Sequence, residues 1–273
     1  MPRYRARTGS AVSRRGYHRV MPSAVILVHG LRTSATMWRQ QVEDLTSRGL
    51  QVLAVDLPGH GTRLGERFTL EAAVAAIDDA VAEATAETGR PPYLVGFSLG
   101  GYLAIEWAAQ NPGRITGLLA ASCGTVPGAL VINTWRGIAK VIHLFPDRGR
   151  ALNDFAVRLF VPPPGAGDII AGGVALDVMD DVLRALLRLR PLASLGRIAD
   201  PVLFVNGQFD HVGLQAGRFL AAARRGRLVT VPRATHMVSA THPAQFTAAL
   251  LENYTAVSTT RSSSRLPDAD EDW

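Results

Sequence analysis

Apolar positions along the chain gather into short unbroken blocks, separated by longer stretches in which they recur at helical spacing. Six blocks stand out: AVILV (24–28), QVLAV (51–55), PYLVGF (92–97), ITGLLAA (115–121), PVLFV (201–205) and RLVTV (227–231). They are continuous, rich in β-branched residues and free of polar alternation, the pattern of strands buried on both faces of a parallel sheet. Helical patterns lie between them. One spans 34–48, from Ser34 to a stop at Gly49, and another spans 70–88, between an N-cap at Thr69 and Gly89. A third runs from Leu99 to Gln110 before Asn111-Pro112, and a last from about Pro243, a tolerated first-turn proline, to Tyr254. Strand and helix in alternation predict an α/β fold, a mostly parallel central sheet flanked by helices on both faces.

The alternation breaks once. Residues 128–196 contain no strand pattern, only helical stretches such as TWRGIAKVIHLF and DVMDDVLRALLRLR, interrupted by a turn at VPPPGAGD (161–168). A structureless connection of that length does not suit a compact domain, so the segment reads as a helical cap inserted between two strands. The sheet-bearing core then comprises residues 22–127 and 197–257.

Charge changes this picture only by its location. The net charge is +6, yet residues 1–21 alone carry six arginines and no acid, and the chain ends in DADEDW. The basic character therefore sits in an N-terminal arm and not on a folded face, and no nucleic-acid partner is expected. The tail 258–273, Ser-rich and then acidic, reads as disordered. No apolar run reaches membrane-spanning length, and no secretory apolar region with a cleavage site follows the arginines. The single cysteine, Cys123, precludes an internal disulfide. A cytoplasmic location is the expectation.

GFSLG (96–100) places Ser98 between two glycines where a strand passes into a helix with almost no turn. At the carboxyl end of a central strand, such a turn points the serine hydroxyl outward, where open α/β sheets bind ligands. The first turn of the next helix offers unpaired N–H groups and a positive dipole to an oxyanion. The plainer alternative is a serine that merely caps the helix. A serine nucleophile needs a base, and the base needs an orienting acid. His236, in RLVTVPRATHMVS, follows the last strand on the same sheet edge as Ser98. His242 reads as a helix-capping residue, His211 as a loop or surface residue, and His143 and His18 as parts of the insertion and the arm. PVLFVNGQFD delivers Asp210 to that edge, whereas Asp56 in VLAVDLPGHG precedes the serine and reads as a binder of loop backbone. Ser98, Asp210 and His236 are the expected catalytic set.

Five segments in this order resemble the α/β-hydrolase superfamily: HG (29–30), DLPGHG (56–61), GFSLGG (96–101), NGQFD (206–210) and ATH (234–236). The resemblance covers residues 24–254 and puts the insertion where that family carries its cap. It implies acyl transfer to Ser98, an oxyanion hole made by the backbone N–H groups of Leu31 and Leu99, and a loop-shaping role for His29. Family members commonly begin with an antiparallel hairpin, which only RYRAR and GYHRV could supply here. Serine at the elbow separates the chain from haloalkane dehalogenase and epoxide hydrolase relatives, which carry aspartate there. No His/Cys cluster has metal-ligand spacing, and no cofactor is expected. The implied reaction is hydrolysis of a carboxylic ester, lactone or thioester of a small to medium apolar substrate. Trp135 and Phe145, in an apolar series with Ile138, Val141 and Ile142, are the expected substrate contacts. Same-fold alternatives are carbon–carbon bond hydrolysis, perhydrolysis, acyl transfer and non-catalytic ligand binding.

Overall fold

The computed structural model describes residues 22–263, with side chains to residue 258; the basic arm and any hairpin in it lie outside the described residues. Six strands form one sheet: β1 Val25–Val28, β2 Val52–Val55, β3 Tyr93–Phe97, β4 Gly117–Ala121, β5 Val202–Gly207 and β6 Gly226–Val231. Their order is β2-β1-β3-β4-β5-β6 and every pairing is parallel. Each expected strand therefore exists. RLVTV differs in one respect: β6 is one of the two sheet edges, and Gly226, Arg227 and Thr230 are exposed. The other edge strand, β2, is buried throughout, so edge position alone does not set this exposure.

Strand residues alternate between two cores. Ile26, Val28 and Leu94 face one, built with α2 Leu70–Thr88, α3 Leu99–Gln110 and, further along the chain, α9 Ala216–Ala222. Val25, Leu27 and Phe97 face the other, against a 3-10 turn at Ala35–Trp38, α1 Arg39–Ser47 and α11 Pro243–Ser263. The helix boundaries follow local chemistry. The Thr69 side chain accepts from Ala72 N–H, and Gly89 closes α2 at φ +67°. The helix α11 runs past the expected end at Tyr254 and takes 258–263 out of the tail read as disordered. Val257 is still buried there, and the next helix-breaking residue is Pro267, so propagation continues through the serines and threonines.

Between β4 and β5 the chain forms α4 Ala129–Ile142, α5 Arg150–Phe160, α6 Gly165–Ala171, α7 Met179–Leu186 and α8 Pro191–Leu195, with no strand. The α6 helix starts inside the segment read as a turn, and the DVMDDVLRALLRLR helix is shorter than its pattern because Pro191 starts a new one. These helices straddle the sheet. Ser194 on α8 donates to Glu106 Oε2 of α3 at 2.7 Å, while Arg39 of α1 pairs with Asp168 of α6 at 2.6 Å. Asp180 of α7 accepts from Arg136 of α4 and Arg184 of α7, each at 2.6 Å, and ties α4 to α7. A short helix, α10 Val238–Thr241, precedes α11.

Candidate active site

Ser98 joins β3 directly to α3 with φ +51° and ψ −114°, a conformation that costs an L-residue about 1–3 kcal/mol. The flanking glycines make the turn possible. A Cβ on Gly96 would lie 2.3 Å from the Gly100 carbonyl oxygen, and one on Gly100 would lie 2.3 Å from that of Val28. Ser98 N–H donates to the Ala121 carbonyl at 2.8 Å, and its own carbonyl accepts from Tyr102 N–H at 3.1 Å. The serine hydroxyl makes no capping bond to α3. It lies 3.2 Å from His236 Nε2 instead.

His236 Nδ1 is 2.9 Å from Asp210 Oδ1. A carboxylate can only accept, so Nδ1 carries the proton, and the bare Nε2 is left to accept from the serine hydroxyl. Asp210 leaves β5 through a turn closed by its N–H to the Gly207 carbonyl at 3.1 Å, and its Oδ1 also takes Val212 N–H at 2.8 Å. Burial works to raise this carboxyl. The His236 bond and charge and the Val212 N–H outweigh it and hold the group below its ordinary range. The three side chains expected from the sequence therefore stand in one hydrogen-bonded row, each at the carboxyl end of a different strand. That arrangement suits a nucleophile, a general base and an orienting acid.

Leu99 N–H heads α3, where an amide has no intrahelical acceptor, and Leu31 follows β1; both residues line a cavity with Ser98 and His236. His29 shapes the Leu31 turn. Leu57 N–H donates to its Nε2 at 3.0 Å, so its Nδ1 carries the proton given to the Gly30 carbonyl at 2.7 Å. Burial lowers its pKa and keeps it neutral. Asp56 binds loop backbone as read, taking Ala35 N–H at 2.7 Å and Thr62 N–H at 3.0 Å.

The cavity encloses about 320 Å³. Trp135, Ile138 and Ile142 of α4 form one wall, and Met179, Leu183 and Leu186 of α7 another. Phe145 does not line it and is 55% exposed: α4 ends at Ile142, so the helical spacing that would have carried Phe145 inward is broken. The apolar face of α7 went unassigned in the sequence, although 179, 182, 183 and 186 fall on one helical stripe. His211 lies in an exposed loop, as read, and has a further role there. It lines the cavity, with its ring 5.1 Å from that of His236, and burial, then His236, lowers its pKa. Ser122, at φ +52° after β4, was likewise missed. Its hydroxyl donates to the His236 carbonyl at 2.9 Å and its N–H to Asn206 Oδ1 at 3.0 Å, which anchors the histidine loop to β4 and β5. Cys123 is buried against Gly101. Among the described residues, no three His, Cys, Asp or Glu side chains gather as a metal site.

A doubly wound parallel sheet that presents a serine elbow beside a histidine and an aspartate defines an α/β protein with hydrolase architecture. The profile of the α/β hydrolase family matches residues 25–250, and the chain belongs to that family. It is 30% identical over 263 residues to the pimeloyl-[acyl-carrier protein] methyl ester esterase of Methylococcus capsulatus, covering 86% of this chain and 95% of that protein. The namesake enzyme of Chromobacterium violaceum is 29% identical over 247 residues, covering 84% and 93%. Among solved structures, an esterase from Thermogutta terrifontis aligns with a TM-score of 0.71 at 20% identity, covering 87% of this chain and 91% of that one. A monoacylglycerol lipase from Paleococcus ferrophilus gives 0.64 at 23%, covering 94% and 100%.

Proposed function

We propose that this protein is a serine hydrolase that cleaves a carboxylic ester of a small to medium apolar molecule through an acyl-enzyme. The observation that carries the reading is the Ser98–His236–Asp210 row at the floor of an apolar cavity. His236 Nε2 takes the Ser98 proton as Oγ attacks the ester carbonyl, and the resulting oxyanion is held by Leu31 and Leu99 N–H. Asp210 stabilises the imidazolium. The carbon–oxygen bond then breaks, His236 gives its proton to the leaving alcohol, and Ser98 keeps the acyl group. Water, deprotonated by His236, attacks that acyl group, and the acid leaves as Ser98 regains its proton.

The names of the curated relatives support an ester as the reacting bond, and a methyl ester of a medium-length acyl chain suits the cavity. On this reading residues 128–196 act as a cap, with α4 and α7 roofing the acyl chain. Trp135 is a substrate contact, and the protein works in the cytoplasm on a small molecule. Among the described residues no helix is long and apolar enough to cross a membrane.

Turnover of p-nitrophenyl esters from acetyl to dodecanoyl, by the wild type and Ser98→Ala, tests the proposal. A rate that peaks at intermediate chain length and falls by about 10⁴-fold or more without the hydroxyl is expected. A folded protein with no Ser98-dependent turnover of any ester would leave carbon–carbon cleavage or ligand binding as the better reading.

A further inference from the structure

Exposed apolar side chains are concentrated in one stretch of the molecule. Of the fourteen large ones among the described residues, eleven lie between Leu130 and Phe160, on α4, on α5 and in the connection between them. The helix α5 is the clearest case. Leu152, Phe155 and Leu159 recur on one helical face, yet no residue of α5 is buried, and Phe155 and Leu159 are 64% and 61% exposed. An amphipathic helix ordinarily lays its apolar stripe on the core. Here the polar side turns inward instead, with Asp154 half-buried and acting on Arg32 in the turn after β1. On α4 the outer positions Leu130 and Val141, and Leu144 just after it, are likewise exposed. Val131, Trp135 and Ile138 line the active-site cavity and are also open to solvent, so they form its rim. The apolar surface of the cap therefore reaches the cavity mouth.

Charge decides what covers this surface. Residues 129–160 carry five arginines and lysines against two acids. Arg136 and Arg148 pair with Asp180 and Asp177, but Lys140, Arg150 and Arg158 are exposed and form no ion pair among the described residues. Asp147 is engaged by Gly149 and Ala151 N–H at the start of α5, and Asp154 by Arg32, so positive charge remains among the exposed apolar side chains. A second copy of the chain would set these cations against their own kind across a two-fold axis. Apolar side chains interspersed with cations match instead a bilayer that holds anionic lipids, where the former enter the acyl boundary and the latter meet headgroup phosphates. We propose that α4 and α5 form a docking surface for an anionic lipid bilayer, with Leu144, Phe155 and Leu159 inserted and Lys140, Arg150 and Arg158 at the headgroups. The cavity rim then opens towards the bilayer, and an apolar ester dissolved there reaches Ser98 without crossing bulk water. This inference goes beyond the proposed hydrolysis and stands without it.

The test is flotation of the full-length protein with vesicles of phosphatidylcholine, alone or mixed with phosphatidylglycerol. It compares the wild type with Phe155→Ser/Leu159→Ser and with Lys140→Gln/Arg150→Gln/Arg158→Gln, the folding of each being checked by circular dichroism and Tm. The wild type should prefer the anionic vesicles. Loss of the two apolar side chains should weaken binding at least about tenfold. Loss of the three cations, each contributing about fivefold near an anionic surface, should weaken it roughly a hundredfold. Brominated lipid should quench Trp135, since Trp38 and Trp107 are wholly buried, and Trp135→Phe should abolish that quenching. No binding to anionic vesicles overturns the proposal. So does binding that both variants retain with Trp135 unquenched, which would assign it to the basic residues 1–21. A solution dimer broken by Phe155→Ser/Leu159→Ser would give the surface to a second copy and overturn it equally. Ser98→Ala should bind vesicles as the wild type does, with or without ester turnover, so failure of the hydrolase reading and failure of the docking surface are read separately.

Discussion

Gly100→Ala is the substitution that probes the elbow most directly. A Cβ at residue 100 would sit 2.3 Å from the Val28 carbonyl oxygen and 2.6 Å from that of His29, against an ordinary contact of at least 3.4 Å. Neither oxygen belongs to a flexible side chain, so α3 must withdraw from β1 by about 1 Å. Overpacking of this kind costs about 1–3 kcal/mol, a sizeable share of a typical folding free energy of roughly 5–15 kcal/mol. Because Ser98 and Leu99 head α3, the same shift moves the hydroxyl away from His236, and about 1 Å of misplacement costs ~10²-fold in rate. Gly137→Ala is the control: it lies in α4, and a Cβ there meets nothing within 4 Å. It should stabilise by up to about 1 kcal/mol, as alanine replaces glycine in a helix. Urea unfolding and p-nitrophenyl ester turnover of both variants provide the readout. Gly100→Ala with wild-type stability and rate would refute the claim that backbone contact enforces the elbow.

Two further outcomes follow from the site's surroundings. Burial, then His29, lowers the His60 pKa from 6.5 to about 3, so the folded state holds this ring neutral while the unfolded chain protonates it. Stability from this group is complete above pH 6.5 and is lost as the pH falls towards 3, at up to roughly 1.4 kcal/mol per pH unit, and urea midpoints at successive pH values should show a slope that His60→Gln diminishes. Ser122→Ala removes the bond that fixes the His236 carbonyl and should lower kcat about five- to tenfold with little change in KM, as steady-state kinetics would show.

What the sequence could disclose depended on whether a property was local. Continuous apolar runs located all six strands, and Thr69 with Gly89 bounded α2 to the residue, because capping and burial on both faces leave local signatures. The two edge strands differ, β2 buried and β6 exposed, a difference set by what packs over each and not encoded in either segment by itself. The Ser98, Asp210 and His236 set was legible because each residue ends a recognisable strand. Ser122 and His211 also leave strand ends, but their roles arise from loops packing across the sheet edge, through a hydroxyl reaching the His236 carbonyl and a ring laid beside another. Phe145 fell outside the cavity because helical spacing predicts a shared face only while the helix lasts, and α4 stops three residues earlier.

The central claim is that Ser98 carries the acyl group. Reaction with an alkyl fluorophosphonate, followed by intact mass and peptide mapping, tests it most directly. The account predicts one phosphonyl adduct per chain on the peptide containing Ser98, and none in Ser98→Ala. An adduct on another residue, or ester turnover that survives Ser98→Ala, would contradict it.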